Sequence, residues 1–355
     1  MHKLDIKSMT LEELEAFVKE INQPKFRALQ IFKWLQEGCT SFDEMSNLSK
    51  NLRTELDNRC YIANVEIEKK FVSAIDGTVK YLYKLQDGEY IESVLMQYNH
   101  WYTVCASTQV GCRMGCKFCA SGINGMVRNL TASEILSQIT AAERDNGIKV
   151  SHVVLMGMGE PLDNFDNMVR FLELVSDDNG LNISPRHISV STSGLVSGIY
   201  KLADLHIPVT LSISLHATTD EERSRIMPVN NRWGIAELIK SCKDYIKVTG
   251  RRISFEYALI EGVNDSDKHA EQLAKLLKGM ICHVNLIPAN PVVENNFKRP
   301  NIKTINRFKT LLENMGINAT IRRTLGADIN ASCGQLRREH KDDLKIGGAA
   351  LENCK

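Results

Sequence analysis

The chain has 355 residues, of which 43% are hydrophobic and 25% are charged, with a formal net charge of +1. This length and composition predict a globular protein with one large domain and a small one, and the near-neutral charge gives no overall signature of nucleic-acid binding. No run of about 18 uncharged apolar residues occurs, which excludes a transmembrane helix.

The first residues, Met1 to Lys7, lack the apolar segment of a signal peptide. We therefore predict a cytoplasmic protein. Because disulfides are rare in the cytoplasm, the ten cysteines are expected to bind a metal, to take part in catalysis or to lie buried in the core.

The N-terminal region, up to about residue 60, carries helical patterns. Capping boxes are predicted at Thr10 with Glu13 and at Ser41 with Glu44, because each pair can satisfy the free N–H groups of a helix start. From Val65 to Met96 the apolar residues alternate between turn dipeptides such as Asp76-Gly77, which predicts a small β-meander.

Short apolar strands alternate with amphipathic helices from about residue 102 onward. This alternation predicts a parallel sheet with right-handed crossovers. About six units are present, so the predicted fold class is α/β, in the form of a partial (β/α)6 barrel. The predicted strands are Thr103–Ser107, His152–Met156, His187–Ser191, Val209–Leu215, Ile253–Leu259 and His283–Ile287, and the clearest helices are Ser133–Arg144, Trp233–Val248 and Lys268–Leu277.

Three cysteines, Cys112, Cys116 and Cys119, have the spacing C-x3-C-x2-C. Three thiolates can hold a [4Fe-4S] cluster and leave one iron without a protein ligand, whereas a closed cluster takes four. A structural zinc site also needs four ligands, and no further Cys or His pair stands nearby to complete one. The motif follows the first predicted strand, and active sites in barrels of this build lie at the carboxyl ends of the strands.

Other predicted strands end in residues suited to binding a ligand. Glycines allow a close approach of the backbone, and side chains such as Glu160, Ser191, His216 and Asn290 supply hydrogen-bonding groups. Each of these segments alone is weak evidence for a binding site. Because all of them are predicted to lie on one rim of the barrel with the cysteines, together they indicate one. The segments are Gly157-Met-Gly-Glu160-Pro161, Ser191-Thr-Ser-Gly194, Ser214-Leu-His216 and Pro288-Ala-Asn290-Pro291.

The cysteine motif together with Gly157–Pro161 resembles the radical S-adenosylmethionine superfamily, whose members bind the cofactor on the open iron. Longer segments resemble the dual-specificity ribosomal-RNA and transfer-RNA adenine-C2 methyltransferases within it, and the likeness extends to about Leu336. These segments are Ser107-Thr-Gln-Val-Gly-Cys112, Ser191–Gly194, Ser214-Leu-His-Ala217, Asn285-Leu-Ile-Pro-Ala-Asn-Pro291 and Ala331-Ser-Cys-Gly-Gln-Leu336.

The resemblance implies methylation of C2 of an adenosine in the peptidyl transferase region of 23S rRNA and of the adenosine 3' to the tRNA anticodon. It implies two molecules of S-adenosylmethionine per turnover. The first methylates Cys333, and the second yields a 5'-deoxyadenosyl radical that activates this methyl group for addition to C2. Cys105 then releases the RNA by attacking the sulfur, which leaves a disulfide with Cys333, and Glu92 accepts the C2 proton.

The resemblance also supplies a set of ligands and partners. Cys112, Cys116 and Cys119 would hold the [4Fe-4S] cluster, and an electron donor such as flavodoxin or ferredoxin would reduce it. We expect no membrane partner and a monomer. The implied contacts of S-adenosylmethionine are Gly159, Glu160, Ser191, Ser214, Leu215, His216 and Asn290. The remaining cysteines, interpreted as structural, are Cys39, Cys60, Cys242, Cys282 and Cys354.

Some features have no signature in spacing alone. Cys333 and Cys105 cannot be separated from the structural cysteines without the resemblance, and Glu92 would be interpreted as an exposed carboxylate on a strand.

The predicted domains are a helical, RNA-recognising part at residues 1–62, the β-meander linker at 63–100, the barrel at 101–336 and a tail at 337–355.

Two alternative functions remain open. A sister group methylates C8 of the same rRNA adenosine and confers antibiotic resistance. That group typically has Cys where this chain has Val110, Ala in place of Pro161 and Arg-Tyr-Asn-Pro in place of Pro288–Pro291, so the C2 function is favoured. A non-enzymatic, metal-stabilised RNA-binding module is the other alternative. It would use the basic pairs Lys69-Lys70, Arg251-Arg252, Arg322-Arg323 and Arg337-Arg338.

Overall fold

The structure is a computed structural model that describes residues 3–123, 125–289 and 297–329. Of the candidate residues, Asn290 and Cys333 therefore lie outside the described residues, as does the pair Arg337-Arg338. No helix within the described ranges is long and apolar enough to cross a bilayer.

The N-terminal part is helical, as predicted. Thr10 caps its first helix and forms the predicted box with Glu13, while the Ser41–Glu44 box opens only a single 3-10 turn. A short parallel pair of strands ties the two ends of this part together. Its elements are β1 (Leu4–Asp5), α1 (Leu11–Glu20), α2 (Phe26–Gln36), α3 (Lys50–Arg59) and β2 (Cys60–Tyr61).

A ten-stranded sheet forms the centre of the molecule. The predicted meander supplies three antiparallel strands, and the following strands are parallel to one another. The strands are β3 (Glu66–Val72), β4 (Val79–Lys84), β5 (Tyr90–Gln97), β6 (Tyr102–Cys105), β7 (Gln109–Gly111), β8 (Met126–Asn129), β9 (His152–Leu155), β10 (Ile188–Thr192), β11 (Thr210–Ser214), β12 (Ile253–Leu259), β13 (Cys282–Pro288) and β14 (Ala319–Ile321), of which β7 and β8 form a separate ribbon.

Helices connect the parallel strands, as the alternation predicts. The box of Thr131 and Glu134 caps the first of them, and Gly147 ends it in the left-handed conformation. The helices are α4 (Ala132–Asn146), α5 (Phe165–Ser176), α6 (Val196–Asp204), α7 (Asp220–Ile226), α8 (Ile235–Thr249), α9 (Asp267–Leu277) and α10 (Ile302–Asn314).

The sheet confirms the predicted α/β fold with a mostly parallel sheet and adds two features. The order of its strands is β14-β13-β12-β11-β10-β9-β6-β5-β4-β3, so β3 and β14 are its edge strands and no strand among the described residues closes the barrel. First, β14 is a further parallel strand that the sequence pattern does not reveal. Second, β5 pairs with β6, so the meander extends the barrel sheet instead of standing apart from it. The domain boundaries given above stay a prediction.

One continuous apolar core joins the N-terminal helices to the barrel. It contains Leu14 and Phe32 from the N-terminal part, Ile139 of α4 and Val153 of β9. Burial of such side chains contributes roughly 1.5–3 kcal/mol each. The sheet is therefore held firmly from its helical side, while its inner face is left to line a cavity.

Candidate active site

The cysteine motif lies on a loop that closes on itself directly after β7. Gly111 has a φ of +82° and lies so close to the Gly125 carbonyl that a Cβ would meet that oxygen at 2.0 Å. The N–H of Cys112 donates to the same carbonyl at 3.0 Å, and the N–H of Cys119 donates to the Cys116 carbonyl at 3.2 Å. The glycine therefore allows the tight turn that brings the three cysteines together.

All three cysteines line one cavity of about 760 Å³ at the carboxyl ends of the strands. Burial raises the pKa of the Cys112 thiol to about 12 and raises the pKa of Cys116 as well, and the neighbouring thiols add to the effect at both residues. Thiolates bind metal, so a cationic centre is needed to hold these groups deprotonated.

The three thiols suit a cluster better than a single ion. Within the described residues, no three His, Cys, Asp or Glu side chains converge closely enough to hold one metal ion. In an iron–sulfur cluster each thiolate binds a different iron, so the sulfurs need to surround a larger object. The set of three thiols, which line one cavity, therefore fits a [4Fe-4S] cluster with one open iron and is one ligand short of a structural zinc site.

Most residues expected to contact S-adenosylmethionine line the same cavity. They are Gly159, Glu160, Ser191, Ser214 and His216. Leu215 differs, because its side chain is fully buried in the apolar core and does not line the cavity. Any contact it makes with a ligand in the cavity has to come from its backbone.

Glu160 joins two of the strand ends. Its carboxylate accepts hydrogen bonds from the Ser193 N–H at 2.7 Å, the Ser193 hydroxyl at 2.8 Å and the Leu162 N–H at 3.1 Å. Burial raises the pKa of Glu160, and the hydrogen bonds from Ser193 oppose that rise. The carboxylate thus ties the loop after β9 to the loop after β10 and faces the cavity between them.

His216 presents a fixed hydrogen-bond donor. Its φ is +57°, and its Nδ1 accepts from the Ala258 N–H at 2.9 Å, so the proton of the neutral ring is on Nε2. Burial lowers the pKa of His216 to about 3, with the charge of Arg223 acting in the same direction, so the ring is neutral at physiological pH. The rings of His216 and Phe118 pack edge to face, with their centroids 4.8 Å apart. Phe118 belongs to the cysteine loop.

Gly157→Ala is expected to weaken S-adenosylmethionine binding on the order of tenfold or more, because a shift of about 1 Å in a positioned group has large effects. A Cβ at this position would lie 2.7 Å from backbone atoms of Ala106 and Ser107, so the loop after β9 would have to move. Isothermal titration calorimetry on anaerobically reconstituted protein measures the affinity. Gly250→Ala is the control: nothing lies within 4 Å of its added Cβ, and the strain that its φ of +66° imposes on alanine falls at the C-terminus of α8, outside the residues that line the cavity. Equal affinities in both variants would contradict the expectation.

Cys105 also lines the cavity, at the end of β6. It is 4% exposed and packs with Val94 and Met96 of β5, near Leu325. The thiol predicted to release the RNA therefore lines the same cavity as the three cysteines of the motif.

Glu92 is not the exposed carboxylate that the strand pattern alone predicts. It is 1% exposed, and its Oε2 lies 3.2 Å from the Nζ of Lys80. Val94 pairs with Cys105 across the sheet, so Glu92 lies on the same face of β5, one pleat beyond Cys105. The carboxylate is buried beside the cavity wall.

The segment that leads to Cys333 is tied to the first turn of the meander. The Asp328 carboxylate accepts from the Ser73 hydroxyl at 2.7 Å and the Ala74 N–H at 2.9 Å, and the Gly326 N–H donates to Asp76 at 2.9 Å. Asp328 precedes Cys333 closely in the sequence. These hydrogen bonds hold Gly326 and Asp328, at the end of the described part of the chain, against the meander.

Sequence reasoning missed two buried cations of the site, Lys80 and Arg223. Lys80 had a usable signal, because pairing the two strands of a hairpin places it on the same face as Glu92. Arg223 had none, since its partners come from strand ends that are distant in sequence.

Known proteins resemble this chain over almost its entire length. Residues 106–274 match the Radical SAM superfamily, and residues 4–62 match the ribosomal RNA large subunit methyltransferase N-terminal domain. The chain is 56% identical over 340 residues to a probable dual-specificity RNA methyltransferase RlmN of Alkaliphilus oremlandii, covering 96% of this chain and 99% of the relative. It is 51% identical to the protein of the same name in Clostridioides difficile, covering 96% and 99%.

A solved structure agrees with these relatives. The crystal structure of a radical SAM methyltransferase from Sphaerobacter thermophilus superimposes with a TM-score of 0.89 at 45% identity, covering 94% of this chain and 98% of that one. With the sequence relatives and the cysteine-lined cavity, it establishes that the chain belongs to the RlmN family of dual-specificity RNA methyltransferases within the radical SAM superfamily.

Proposed function

We propose that this protein methylates C2 of an adenosine in the peptidyl transferase region of 23S rRNA and of the adenosine 3' to the tRNA anticodon. The observation that carries the proposal is the single cavity that holds the three cluster cysteines, the glycine-rich strand ends and Cys105. Membership of the RlmN family implies the [4Fe-4S] cluster and S-adenosylmethionine.

One set of residues binds the cluster, and another binds S-adenosylmethionine. Cys112, Cys116 and Cys119 hold the cluster, and S-adenosylmethionine is contacted by Gly159, Glu160, Ser191, Ser214, Leu215, His216 and Asn290. When bound, these groups supply a 5'-deoxyadenosyl radical. A flavodoxin or ferredoxin provides the electron, and two molecules of S-adenosylmethionine are used in each turnover by a monomeric enzyme.

Three side chains carry the methyl group and the proton. The thiolate of Cys333 takes a methyl group by displacement from S-adenosylmethionine; this methyl group then loses a hydrogen atom to the 5'-deoxyadenosyl radical, and its carbon bonds to C2. Glu92 accepts the proton from C2, and the remaining odd electron would return to the cluster. The Cys105 thiolate then attacks the Cys333 sulfur: the S–S bond forms as the C–S bond breaks, the carbon on C2 keeps the electron pair and takes a proton to become the methyl group, and a Cys105–Cys333 disulfide is left. The apolar surroundings of Cys105, which include Val94 and Met96, support this order because they limit access of other thiols.

The charges around the cavity suit an RNA substrate. Arg252, Arg322 and Arg323 line it, and none of them has an Asp or Glu within 4 Å in the described part of the chain. Free guanidinium groups bind phosphates well. The target base has to leave its stack to reach such a cavity, at a cost of roughly a few kcal/mol that is smallest in loops.

Cys333→Ala is expected to abolish 2-methyladenosine in both 23S rRNA and tRNA while the iron content stays at that of the unaltered protein, because only the methyl carrier is lost. Mass spectrometry of RNA nucleosides from cells that carry the variant as their sole copy measures this. Cys354→Ala, a change of the same kind in the tail, is expected to retain full methylation. Methylation that persists in Cys333→Ala would contradict the proposal, and 8-methyladenosine in place of 2-methyladenosine would indicate the sister activity.

A further inference from the structure

Arg223 of α7 is a fully buried cation whose hydrogen-bond partners in the structure are all neutral. Its Nε donates to the Leu215 carbonyl at 3.1 Å, and its Nη2 donates to the carbonyls of Ser193 at 2.5 Å and Ser214 at 3.0 Å. Its Nη1 donates to the Asn230 side-chain oxygen at 3.1 Å. The guanidinium thus joins the ends of β10 and β11, and its position is fixed.

No carboxylate neutralises this charge within 4 Å among the residues that the structure describes. Asp220, on the same helix, is exposed and reaches Arg223 through Asn230, from which it accepts a hydrogen bond at 3.1 Å; its charge favours the cationic form of Arg223. Burial lowers the pKa of Arg223 to about 10, which still leaves it charged at neutral pH. A buried charge without a buried counter-charge is costly, so a fold that retains one is expected to have a further anion nearby.

The cysteine loop is the nearest source of such an anion. It packs directly on the helix that carries Arg223: the Lys117 N–H donates to the Ile226 carbonyl at 2.9 Å, and Cys116 packs against Ile226 and Met227.

We propose that Arg223 is the buried counter-charge of the iron–sulfur cluster and raises its reduction potential. The inference rests on the proposed function, in which Cys112, Cys116 and Cys119 are the cluster ligands. Arg223 acts as a positioning residue here, because its hydrogen bonds hold the strand ends and the helix that carries it packs on the cysteine loop.

The direction of the effect follows from the charges. One-electron reduction makes the thiolate-bound cluster more negative by one charge, and net charge is one of the factors that set the potential of such clusters. A fixed cation in a medium of low dielectric constant stabilises the more negative, reduced state more than the oxidised state. Removing the cation is therefore expected to make the cluster harder to reduce.

The test is an anaerobic redox titration of the reconstituted protein, monitored by electron paramagnetic resonance. Arg223→Gln is expected to shift the midpoint potential to a more negative value, whereas Arg223→Lys, which keeps the charge, is expected to stay closer to the unaltered protein. Arg225→Gln is the matched control: it removes the same charge from the same helix, but its side chain is 71% exposed and water screens it. Its midpoint potential is expected to be unchanged.

A second variant covers the case in which Arg223→Gln fails to fold. Arg223→Met removes the charge with an apolar side chain of similar length at this buried position, and it is expected to shift the midpoint in the same negative direction. Unchanged midpoints in the folded variants at full iron content would overturn the inference. A protein that binds no iron at all would overturn the proposed function as well, so the two failures are distinguishable.

Discussion

Cys105→Ala is expected to reduce RNA methylation to background and to trap the enzyme on its substrate. If Cys105 releases the RNA, the variant can still attach the methyl carbon of Cys333 to C2 but cannot break the resulting bond to sulfur. Radiolabelled tRNA incubated with the reconstituted variant should therefore migrate with the protein on a denaturing gel. The adduct should form in at most one equivalent per enzyme.

The structure indicates that this variant keeps its fold. The Cys105 side chain packs with Val94 and Met96 on the inner face of the sheet, and alanine removes only the sulfur from that cluster. Cys60→Ala is the control, because Cys60 is also fully buried, on β2 in the N-terminal part. It should turn over normally and form no adduct, and turnover of Cys105→Ala at the rate of this control would contradict the assigned role.

The α/β fold could be predicted from the sequence because each unit of the sheet carries its own local signals. The apolar run at Ile253–Leu259 and the capping box at Thr10 both rely on neighbouring residues, and the structure has both where the sequence predicts them. β14 is different, since it has only three residues and exists because it pairs with β13. A strand that depends on its neighbour leaves little pattern in its own sequence.

The residues of the candidate site also divide into those that a local sequence pattern predicts and those that only the assembled fold brings together. Cys112, Cys116 and Cys119 are close in sequence, so their spacing already points to a metal cluster. The partners of Glu92 and Arg223 arise only when the sheet is assembled: Lys80 faces Glu92 through the register of β4 on β5, and Arg223 reaches carbonyls at the ends of two other strands. Such contacts depend on tertiary geometry, which no local pattern records.

Lys80→Met is expected to lower the free energy of unfolding by about 3–5 kcal/mol, because it removes one charge of a buried ion pair and leaves the other charge buried. Lys80 and Glu92 are 2% and 1% exposed, so water cannot replace the lost interaction. Urea denaturation followed by circular dichroism measures the change. Lys240→Met is the control: its pair with Asp244 is 71% and 38% exposed, so water screens the pair and little change in stability is expected.

The double variant Lys80→Met/Glu92→Leu separates the stability of this pair from its chemistry. Replacing a buried ion pair by apolar side chains of similar volume is often neutral or stabilising, so the double variant should regain most of the stability that Lys80→Met loses. It should nevertheless fail to complete methylation, because the group proposed to accept the C2 proton is gone. If the double variant were stable and fully active, Glu92 would be a structural partner of Lys80 and the proton would leave by another route.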